Sequence, residues 1–217
     1  MTELLPGKYR RIIINLWRSA IGGILLLTLY IVAVRFNLFW LFGPLPDLVT
    51  LENPKFELAS ELISEDNQSL GKYFIENRAP VEHDQISPRL IEALLATEDA
   101  RFVKHSGIDA RSLVRVVKGV ATGQTSSGGG STLTQQVAKN LFRTRTQEYQ
   151  GILSKIPGVR IVINKTKEWI LAVILERKYT KKEIMMMYLN TVSFGNNTYG
   201  IKVAARTYFN KNTWDLN

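Results

Sequence analysis

The fold class is decided by residues 87–107, which read SPRLIEALLATEDARFVKHSG. Ser87 suits the N-cap of a helix, and Pro88 suits the first helical position. Four apolar residues then recur at helical spacing, namely Leu90, Ile91, Leu94 and Leu95. We therefore predict a helix that begins at this serine and reaches Glu98.

Helical patterns continue to the end of the sequence. Ser131 is expected to cap the first of four further helices, which are predicted over about residues 131–142, 162–178, 180–189 and 200–208. No long alternating apolar run follows residue 87. The sequence therefore predicts a mainly α fold for the chain after residue 87.

The composition narrows the class of protein. A chain of 217 residues suits one domain with accessory segments. It contains no cysteine, which excludes a disulfide scaffold, a thiol nucleophile and a cysteine-ligated metal. Its two histidines, His83 and His105, argue against a histidine-built zinc site.

The net charge of +9 suits nucleic acid, anionic lipid or a phosphorylated substrate as a partner. Many of the cations lie beside the apolar N-terminal segment or inside the motifs described below. No recognition module for DNA or RNA is evident. We therefore expect lipid and a phosphorylated substrate as partners, and no nucleic acid.

An apolar N-terminal segment predicts one membrane-spanning helix. Residues 19–34 carry no charge and are bracketed by Arg18 and Arg35. Because a span needs about 20 apolar residues, we expect the helix to use residues 17–39 and assign 17–42 to a signal anchor. A cleaved signal peptide is the alternative, which the length of the segment and the lack of a small-x-small cleavage site disfavour.

The cations before this segment predict its orientation. Lys8, Arg10 and Arg11 lie in a basic tail, residues 1–16. By the positive-inside rule this tail is cytoplasmic, and the chain after Gly43 lies outside the cytoplasmic membrane. We therefore expect a single-pass protein whose partners include membrane lipids.

Residues 43–86 are predicted to be a juxtamembrane linker with a β-hairpin. Prolines at positions 44 and 46 end the anchor helix, because proline lacks the backbone donor. The hairpin is expected to consist of a strand at 58–63, a polar turn at 64–68 and a second strand at 73–75.

Glu98 is the first candidate for chemistry. It follows Ile91, Leu94 and Leu95 by seven, four and three residues, so the helix places it on the same apolar stripe. A carboxylate there is expected to be desolvated and suited to proton transfer near neutral pH. The alternative is a glutamate at a helix end, in solvent or paired with Arg101, and spacing alone does not separate the two.

A glycine-rich loop enters the second predicted helix, and residues 128–140 read GGGSTLTQQVAKN. Three glycines before a capped helix let backbone N–H groups approach an anion, although the lysine is misplaced for a P-loop. One face of the helix is expected to carry Thr132, Gln135, Gln136, Lys139 and Arg143. Taken alone, an ordinary amphipathic surface helix is the better interpretation.

Two glutamates bound an apolar helical segment, residues 169–175. Glu168 precedes the segment and Glu176 follows it, and each carboxylate needs a partner in such surroundings. For Glu176 we favour a buried structural ion pair. For Glu168 we predict a role in organising a pyrophosphate, directly or through a divalent cation.

Five motifs in order resemble the glycosyltransferase domain of class A penicillin-binding proteins and the monofunctional peptidoglycan glycosyltransferases (glycosyltransferase family 51). The matching residues are Glu98-Asp99-x-x-Phe102-x-x-His105-x-Gly107; Gly130-Ser131-Thr132-x-x-Gln135-Gln136-x-x-Lys139-Asn140; Lys165-x-x-Glu168; Arg177-x-Tyr179 through Ile184, with Tyr188-Leu189-Asn190 and Gly195; and Gly200-x-x-x-Ala204-Ala205-x-x-Tyr208-Phe209-x-Lys211.

The resemblance implies a lysozyme-like helical lobe with a smaller membrane-proximal jaw, and a glycosyltransferase domain over residues 87–217. It implies an enzyme that polymerises lipid II, a lipid-linked disaccharide-pentapeptide, into the glycan strands of the bacterial cell wall. The anomeric carbon inverts and undecaprenyl pyrophosphate leaves. The implied partners are lipid II and the growing lipid-linked strand.

The resemblance also implies residue roles. Glu98 matches the general base of the family. Glu168 matches its second essential glutamate, which acts around the pyrophosphate and is the candidate ligand where a divalent cation, Mg²⁺ or Mn²⁺, takes part. The positions carried over as substrate-binding are Asp99, Gly130, Ser131, Thr132, Gln135, Gln136, Lys139, Asn140, Lys165 and Asn190.

The sequence departs from the family pattern in three places. Asn164 stands where the third motif usually begins with arginine, and the chain before Lys165 is longer than usual. Arg143 or Arg145 is therefore the expected stand-in for a phosphate-binding arginine, and Arg145 is included among the binding residues. The last family helices and a transpeptidase domain do not follow Asn217, so the domain is predicted to be C-terminally incomplete and inactive as it stands.

Two rival functions stay open. A lysozyme-like muramidase also uses a glutamate in a helical cleft, but it takes water as the nucleophile and needs no lipid. A non-catalytic, membrane-anchored cell-wall scaffold would not need Glu98, Glu168 and Lys139 together. The products formed from lipid II would separate the three functions.

Overall fold

The computed structural model describes residues 7–46, 60–66, 68–73, 77–123 and 129–216. The chain divides into two compact units. The first unit consists of Met1–Leu45 and Gln147–Thr166, and the second of Pro46–Thr146 and Lys167–Asn217.

The prediction of a mainly α protein is confirmed. The described residues form seven α-helices: α1 (Gly7–Arg35), α2 (Pro88–Glu98), α3 (Ala110–Ala121), α4 (Leu133–Leu141), α5 (Pro157–Lys178), α6 (Lys181–Thr191) and α7 (Ile201–Phe209). They also form four short strands: β1 (Ser60–Ile63), β2 (Ser69–Tyr73), β3 (Asn77–Arg78) and β4 (Thr198–Tyr199).

In the first unit, α1 is long and apolar enough over Tyr9–Arg35 to cross a membrane. It begins at Gly7, within the predicted tail, and ends at Arg35 rather than at residue 39. The helix stops there because Asn37 adopts a left-handed conformation with φ 48°, after which only a 3-10 turn forms. The predicted extent of the span is therefore wrong at its C-terminal end, whereas one apolar N-terminal helix is found as expected.

The rest of the first unit packs closely on the chain that follows α1. The N–H of Leu153 donates to the carbonyl of Leu41 at 2.9 Å. Gly151 lies so close to Gly43 that a Cβ on it would come within 2.3 Å of the Gly43 nitrogen. Both positions therefore require glycine. The Tyr30 hydroxyl also hydrogen-bonds the Thr166 hydroxyl, at 3.0 Å.

In the second unit, β1 and β2 pair antiparallel and confirm the predicted hairpin. At its turn, the N–H of Ser64 donates to the carbonyl of Gln68 at 2.8 Å. The second strand begins at Ser69, earlier than predicted, and residues 74 and 75 lie outside the described residues. Farther along the chain, β3 pairs parallel with β4.

Most helix boundaries lie close to the predictions. The cap of α4 is Thr132 rather than Ser131, because the Thr132 hydroxyl accepts the N–H of Gln135 at 3.3 Å. α5 begins at Pro157 rather than near residue 162, since proline suits a first helical turn. α3 was not predicted; the Asp109 carboxylate caps it by accepting the N–H of Arg111 at 3.1 Å.

The core of the second unit lies between α4, α5, α6 and α7. Its buried apolar side chains include Leu133, Val137, Leu171, Ala172, Leu175, Ile184, Leu189 and Ala205. Truncating such a buried leucine to alanine typically costs about 2–5 kcal/mol. On α5, Leu171, Ala172 and Leu175 are buried among these neighbours, and this core positions the polar residues described next.

Candidate active site

Glu98 is the last residue of α2, and its carboxylate accepts a hydrogen bond from Gln136 Nε2 at 2.8 Å. The expectation that it is desolvated on an apolar stripe is wrong, because Glu98 is exposed and Leu94 beside it is only half-buried. Its partner is not Arg101, whose guanidinium lies 3.1 Å from Asp109 instead. The contact joins the first family motif to the second.

A pocket of about 470 Å³ opens beside Glu98. Three segments supply its polar lining, which are the end of α2, the start of α3 and the glycine-rich loop before α4. The predicted site residues among them are Glu98, Asp99, Gly130, Ser131 and Thr132. The structure therefore brings two runs of residues, 98–99 and 130–132, to one concave surface, although α3 separates them in the sequence.

Asp109 closes the α3 side of this pocket. Burial opposes its ionisation, but hydrogen bonds from the Ser112 hydroxyl and the Arg111 N–H, with the Arg101 guanidinium, outweigh burial and lower the pKa of Asp109. The sequence analysis did not single out this residue. Asp109 thus holds Arg101 and Ser112, which also line the pocket, in place.

Asp99 and His105 form a buried pair behind Glu98. His105 Nε2 lies 3.0 Å and 3.1 Å from the two carboxylate oxygens of Asp99, and the side chains are 4% and 6% exposed. One of those oxygens also accepts the N–H of Leu133 at 3.0 Å. A carboxylate at a helix N-terminus is favourable, so Asp99 fastens the end of α2 to the start of α4.

Gly107 ends the loop that begins at Asp99. Its carbonyl accepts hydrogen bonds from the Thr132 hydroxyl at 2.8 Å and from Gln135 Nε2 at 3.0 Å. Its φ of 88° and the Ala172 backbone, which a Cβ would meet at 2.9 Å, both require glycine. Gln135 is buried, so its contact shapes the loop from within.

Lys139 and Asn140 lie farther along α4, and both are half-buried. Lys139 follows Gln136 by three residues, and positions three apart share one face of a helix. The face that carries Lys139 is therefore the face whose amide reaches Glu98.

Glu168 lies inside the second unit, where its carboxylate meets Arg145. Arg145 Nε and Nη2 both donate to Glu168 Oε1, at 3.1 Å and 2.9 Å. The carboxylate side chain is 1% exposed and the arginine side chain 54% exposed. Of the two arginines left open by the sequence, Arg145 is seen to donate to Glu168, and its side chain is more than half exposed.

The described residues contain no group of three or more histidine, aspartate or glutamate side chains that could hold a metal ion. The one carboxylate predicted as a ligand, Glu168, is already engaged by Arg145. A divalent cation at Glu168 stays a prediction.

Comparison with known proteins gives the family. The family model described as "Transgly: Transglycosylase" matches residues 66–217, which is more than half of the chain. The chain belongs to the transglycosylase family. The match begins before residue 87, where the predicted catalytic domain starts.

Several curated penicillin-binding proteins are similar to this transglycosylase chain. Penicillin-binding protein 1F of Bacillus subtilis (strain 168) is 39% identical over 73% of the chain. Penicillin-binding protein 1A of Escherichia coli (strain K12) is 35% identical over 77% of it, and that of Aquifex aeolicus (strain VF5) is 38% identical over 81%. The aligned regions cover 20%, 18% and 22% of these relatives, so the chain spans about a fifth of their length.

Two further predicted site residues of the transglycosylase chain do not line the pocket beside Glu98. Lys165 lies on α5, three residues before Glu168. Asn190 holds the backbone of Val81, accepting its N–H at 2.9 Å and donating to its carbonyl at 3.0 Å. Its amide therefore anchors the segment after β3, and it does not line the pocket beside Glu98.

Tyr188 is a residue whose place beside Glu98 was not predicted. It lies on α6 and is buried. Burial and the nearby Glu98 charge raise the pKa of Tyr188 to about 12, so the phenol stays protonated at neutral pH. In the sequence, Tyr188 could have been found only as a residue of the fourth motif.

Lys167 precedes Glu168 and is fully buried, and burial lowers its pKa from 10.5 to about 8. Between about pH 8 and pH 10.5, Lys167 is therefore mostly protonated in the unfolded chain and mostly deprotonated in the folded protein. Folding stability therefore rises with pH across this window, by up to about 1.4 kcal/mol per pH unit.

We expect Lys167→Met to abolish this contribution. Chemical unfolding at about pH 7.5 and about pH 9.5 should show a smaller gain in stability for Lys167→Met than for the unmodified protein. Lys182→Met, which changes an exposed lysine on α6, is the control and should keep the gain. Equal gains in all three proteins would contradict the prediction.

Proposed function

We propose that this chain is a peptidoglycan glycosyltransferase that polymerises lipid II into glycan strands. The observation that carries the proposal is the hydrogen bond between Glu98 and Gln136, beside a polar pocket. Membership of the transglycosylase family supports the reaction class. The relatives named penicillin-binding proteins support the cell wall as its setting.

In the proposed reaction, Glu98 is the general base. It accepts the proton of the acceptor's GlcNAc 4-hydroxyl as that oxygen attacks the anomeric carbon of the growing strand. The bond from this carbon to the lipid pyrophosphate breaks, and the pyrophosphate leaves with the electron pair. One displacement inverts the α-linkage to β. The amide of Gln136 orients the carboxylate for this step.

The leaving pyrophosphate is proposed to meet Arg145 and Lys139. Arginine can bind phosphate oxygens in a bidentate manner, which fixes their geometry. Glu168 accepts hydrogen bonds from two nitrogens of the Arg145 guanidinium, and the arginine side chain is more than half exposed. Negative charge that develops on the pyrophosphate is thereby stabilised without a reorganisation of the protein.

The substrate is membrane-bound in this proposal, and the first unit is suited to it. α1 can cross a membrane. Apolar side chains elsewhere in the unit are also more than half exposed, namely Ile152, Ile156, Ile161 and Val162. With the basic tail in the cytoplasm, the catalytic unit lies outside the cytoplasmic membrane, where it meets lipid II and the growing strand.

The surroundings of Glu98 disfavour the lysozyme-like alternative. A glycosidase general acid of lysozyme type works from an apolar pocket, whereas Glu98 is exposed and accepts a hydrogen bond from an amide. A non-catalytic scaffold has no need for the Glu98–Gln136 contact beside a polar pocket, or for the Arg145–Glu168 pair. Polymerisation of lipid II is therefore favoured over hydrolysis and over a scaffold role.

The test uses purified lipid II and the intact protein that contains this sequence, in detergent. Separation of the products by size should show glycan polymer that still carries lipid at one end. Free disaccharide with a reducing end would indicate a hydrolase, and unchanged lipid II would indicate a scaffold. Either result would contradict the proposal.

A further inference from the structure

Lys181 and Glu176 form an ion pair in the second unit. Lys181 is the first residue of α6, and Glu176 lies near the end of α5. Lys181 Nζ lies 2.7 Å from Glu176 Oε1, and the side chains are 29% and 6% exposed. The structural ion pair predicted for Glu176 is thus confirmed, but no part in the reaction was predicted for either residue.

Both charges oppose the dipoles of their own helices. A helix C-terminus disfavours a nearby carboxylate, and a helix N-terminus disfavours an ammonium group. Local helix stability therefore does not account for Glu176 or Lys181. Their contacts with the rest of the unit have to account for them.

Lys181 holds the loop that follows Glu98. Its ammonium donates to the backbone carbonyl of His105 at 2.6 Å and lies 4.3 Å from the centre of the Phe102 ring. A cation over an aromatic face at this distance is attracted by the ring. Phe102 in turn packs edge-on against the His105 ring. One side chain thus fixes both ends of the Phe102–His105 segment.

Glu176 holds the helix that orients Glu98. Its Oε1 accepts a hydrogen bond from the hydroxyl of Thr134 at 2.5 Å, and Thr134 is fully buried in α4. The same helix carries Gln136, whose amide reaches Glu98. The ion pair therefore connects the loop after Glu98 to the helix that contacts its carboxylate.

The two connections meet again at Asp99. The ring of His105, whose backbone carbonyl accepts from Lys181, contacts the Asp99 carboxylate at 3.0 Å. Asp99 accepts the N–H of Leu133 at the start of α4 and is the direct neighbour of Glu98 in the chain. The contacts thus form a closed loop that runs from Lys181 through His105, Asp99, α4 and Glu176 and back to Lys181.

We propose that Lys181 and Glu176 are positioning residues, which hold the Glu98 carboxylate in register with Gln136 during glycosyl transfer. The inference rests on the proposed function. Neither side chain lines the pocket, so neither is expected to touch the sugar. Their effect is on geometry, and about 1 Å of lost precision can cost ~10²-fold in rate.

The test compares Lys181→Met with Lys182→Met, which removes the next, exposed lysine on the same helix. With lipid II and the intact protein, at a temperature where both variants are folded, Lys181→Met should lower kcat by about 10–100-fold. KM should stay within about twofold, since uniform substrate binding is not lost. Lys182→Met should behave as the unmodified protein does.

Lys181→Arg should recover most of the lost kcat, because a guanidinium can donate to the His105 carbonyl and the Glu176 carboxylate at once. Should Lys181→Met not fold, Glu176→Gln is the second variant. It keeps an oxygen acceptor for Thr134 and Lys181 but removes the charge, and it should lower kcat in the same way. A normal kcat per folded molecule in Lys181→Met or Glu176→Gln would mean that the ion pair only stabilises the fold, and it would overturn the proposal.

Amide hydrogen exchange tests the positioning role without activity. Exchange in residues 99–107 should accelerate in Lys181→Met but not in Lys182→Met, at equal global stability. Unchanged exchange there would overturn the inference even if the enzyme polymerises lipid II. Conversely, an unmodified protein that leaves lipid II unchanged would contradict the proposed function while the exchange result still decides the role of Lys181.

Discussion

Glu98→Gln is expected to lower kcat for lipid II polymerisation by on the order of 10²–10⁴-fold, the usual contribution of a general base. Glutamine keeps the size of the side chain and can still hydrogen-bond the Gln136 amide. Because Glu98 is exposed, the substitution removes no buried charge, and melting should hardly change. The measurement is the initial rate of lipid II consumption at saturating substrate.

Glu92→Gln is the matched control for this variant, because Glu92 is an exposed glutamate on the same helix. It should polymerise lipid II at the normal rate. A Glu98→Gln protein within about threefold of that control would remove Glu98 from the role of base, since general-base losses are far larger.

Glu168→Gln is expected to lower the same rate by about 10²–10³-fold, the usual loss when one group that stabilises transition-state charge is disturbed. The carboxylate that orients Arg145 is lost, although the shape of the side chain is kept. Because the Arg145 side chain left behind is more than half exposed, the loss of stability should be smaller than that for breaking a fully buried ion pair. Glu148→Gln, at an exposed glutamate, is the control.

Two comparisons make this prediction sharper. Lys139→Met should resemble Glu168→Gln, and the double variant should lose less than the product of the two losses, because both act on one leaving group. Arg145→Lys should also slow the reaction, whereas Arg143→Lys should not. If Arg143→Lys were slow and Arg145→Lys normal, the pyrophosphate would be bound by Arg143, and the proposed role of Arg145 would be wrong.

Local sequence rules predicted much of the helical fold. α2 and α6 were placed correctly because their caps can be read directly: the Ser87 and Thr180 hydroxyls each accept an N–H three residues ahead. α3 was missed because its sequence, ARSLVRVVKGVA, is rich in valine, which is a weaker helix former than leucine or alanine. The end of α1 depends on a left-handed Asn37, which composition does not reveal.

The candidate site was predicted as a set of residues but not as a geometry. Helical spacing gives the face on which Glu98 lies, but not what covers that face, and the expected burial was therefore wrong. Contacts such as Arg145 with Glu168 and Lys181 with His105 join residues far apart in sequence. Such pairs depend on how helices and loops pack, which no local pattern specifies. The site residues could be predicted because they belong to motifs that resemble those of a known family.

The proposed reaction is a single displacement that inverts the anomeric carbon, and the linkage of the product shows directly whether inversion occurs. Lipid II should be incubated with the intact protein that contains this sequence, and the new glycosidic bonds should be examined by NMR. Polymer with β-linkages between the disaccharide units, and one undecaprenyl pyrophosphate released for each bond formed, is the result expected from this displacement. Newly formed α-linkages, or reducing ends released by water in place of polymer, would contradict it.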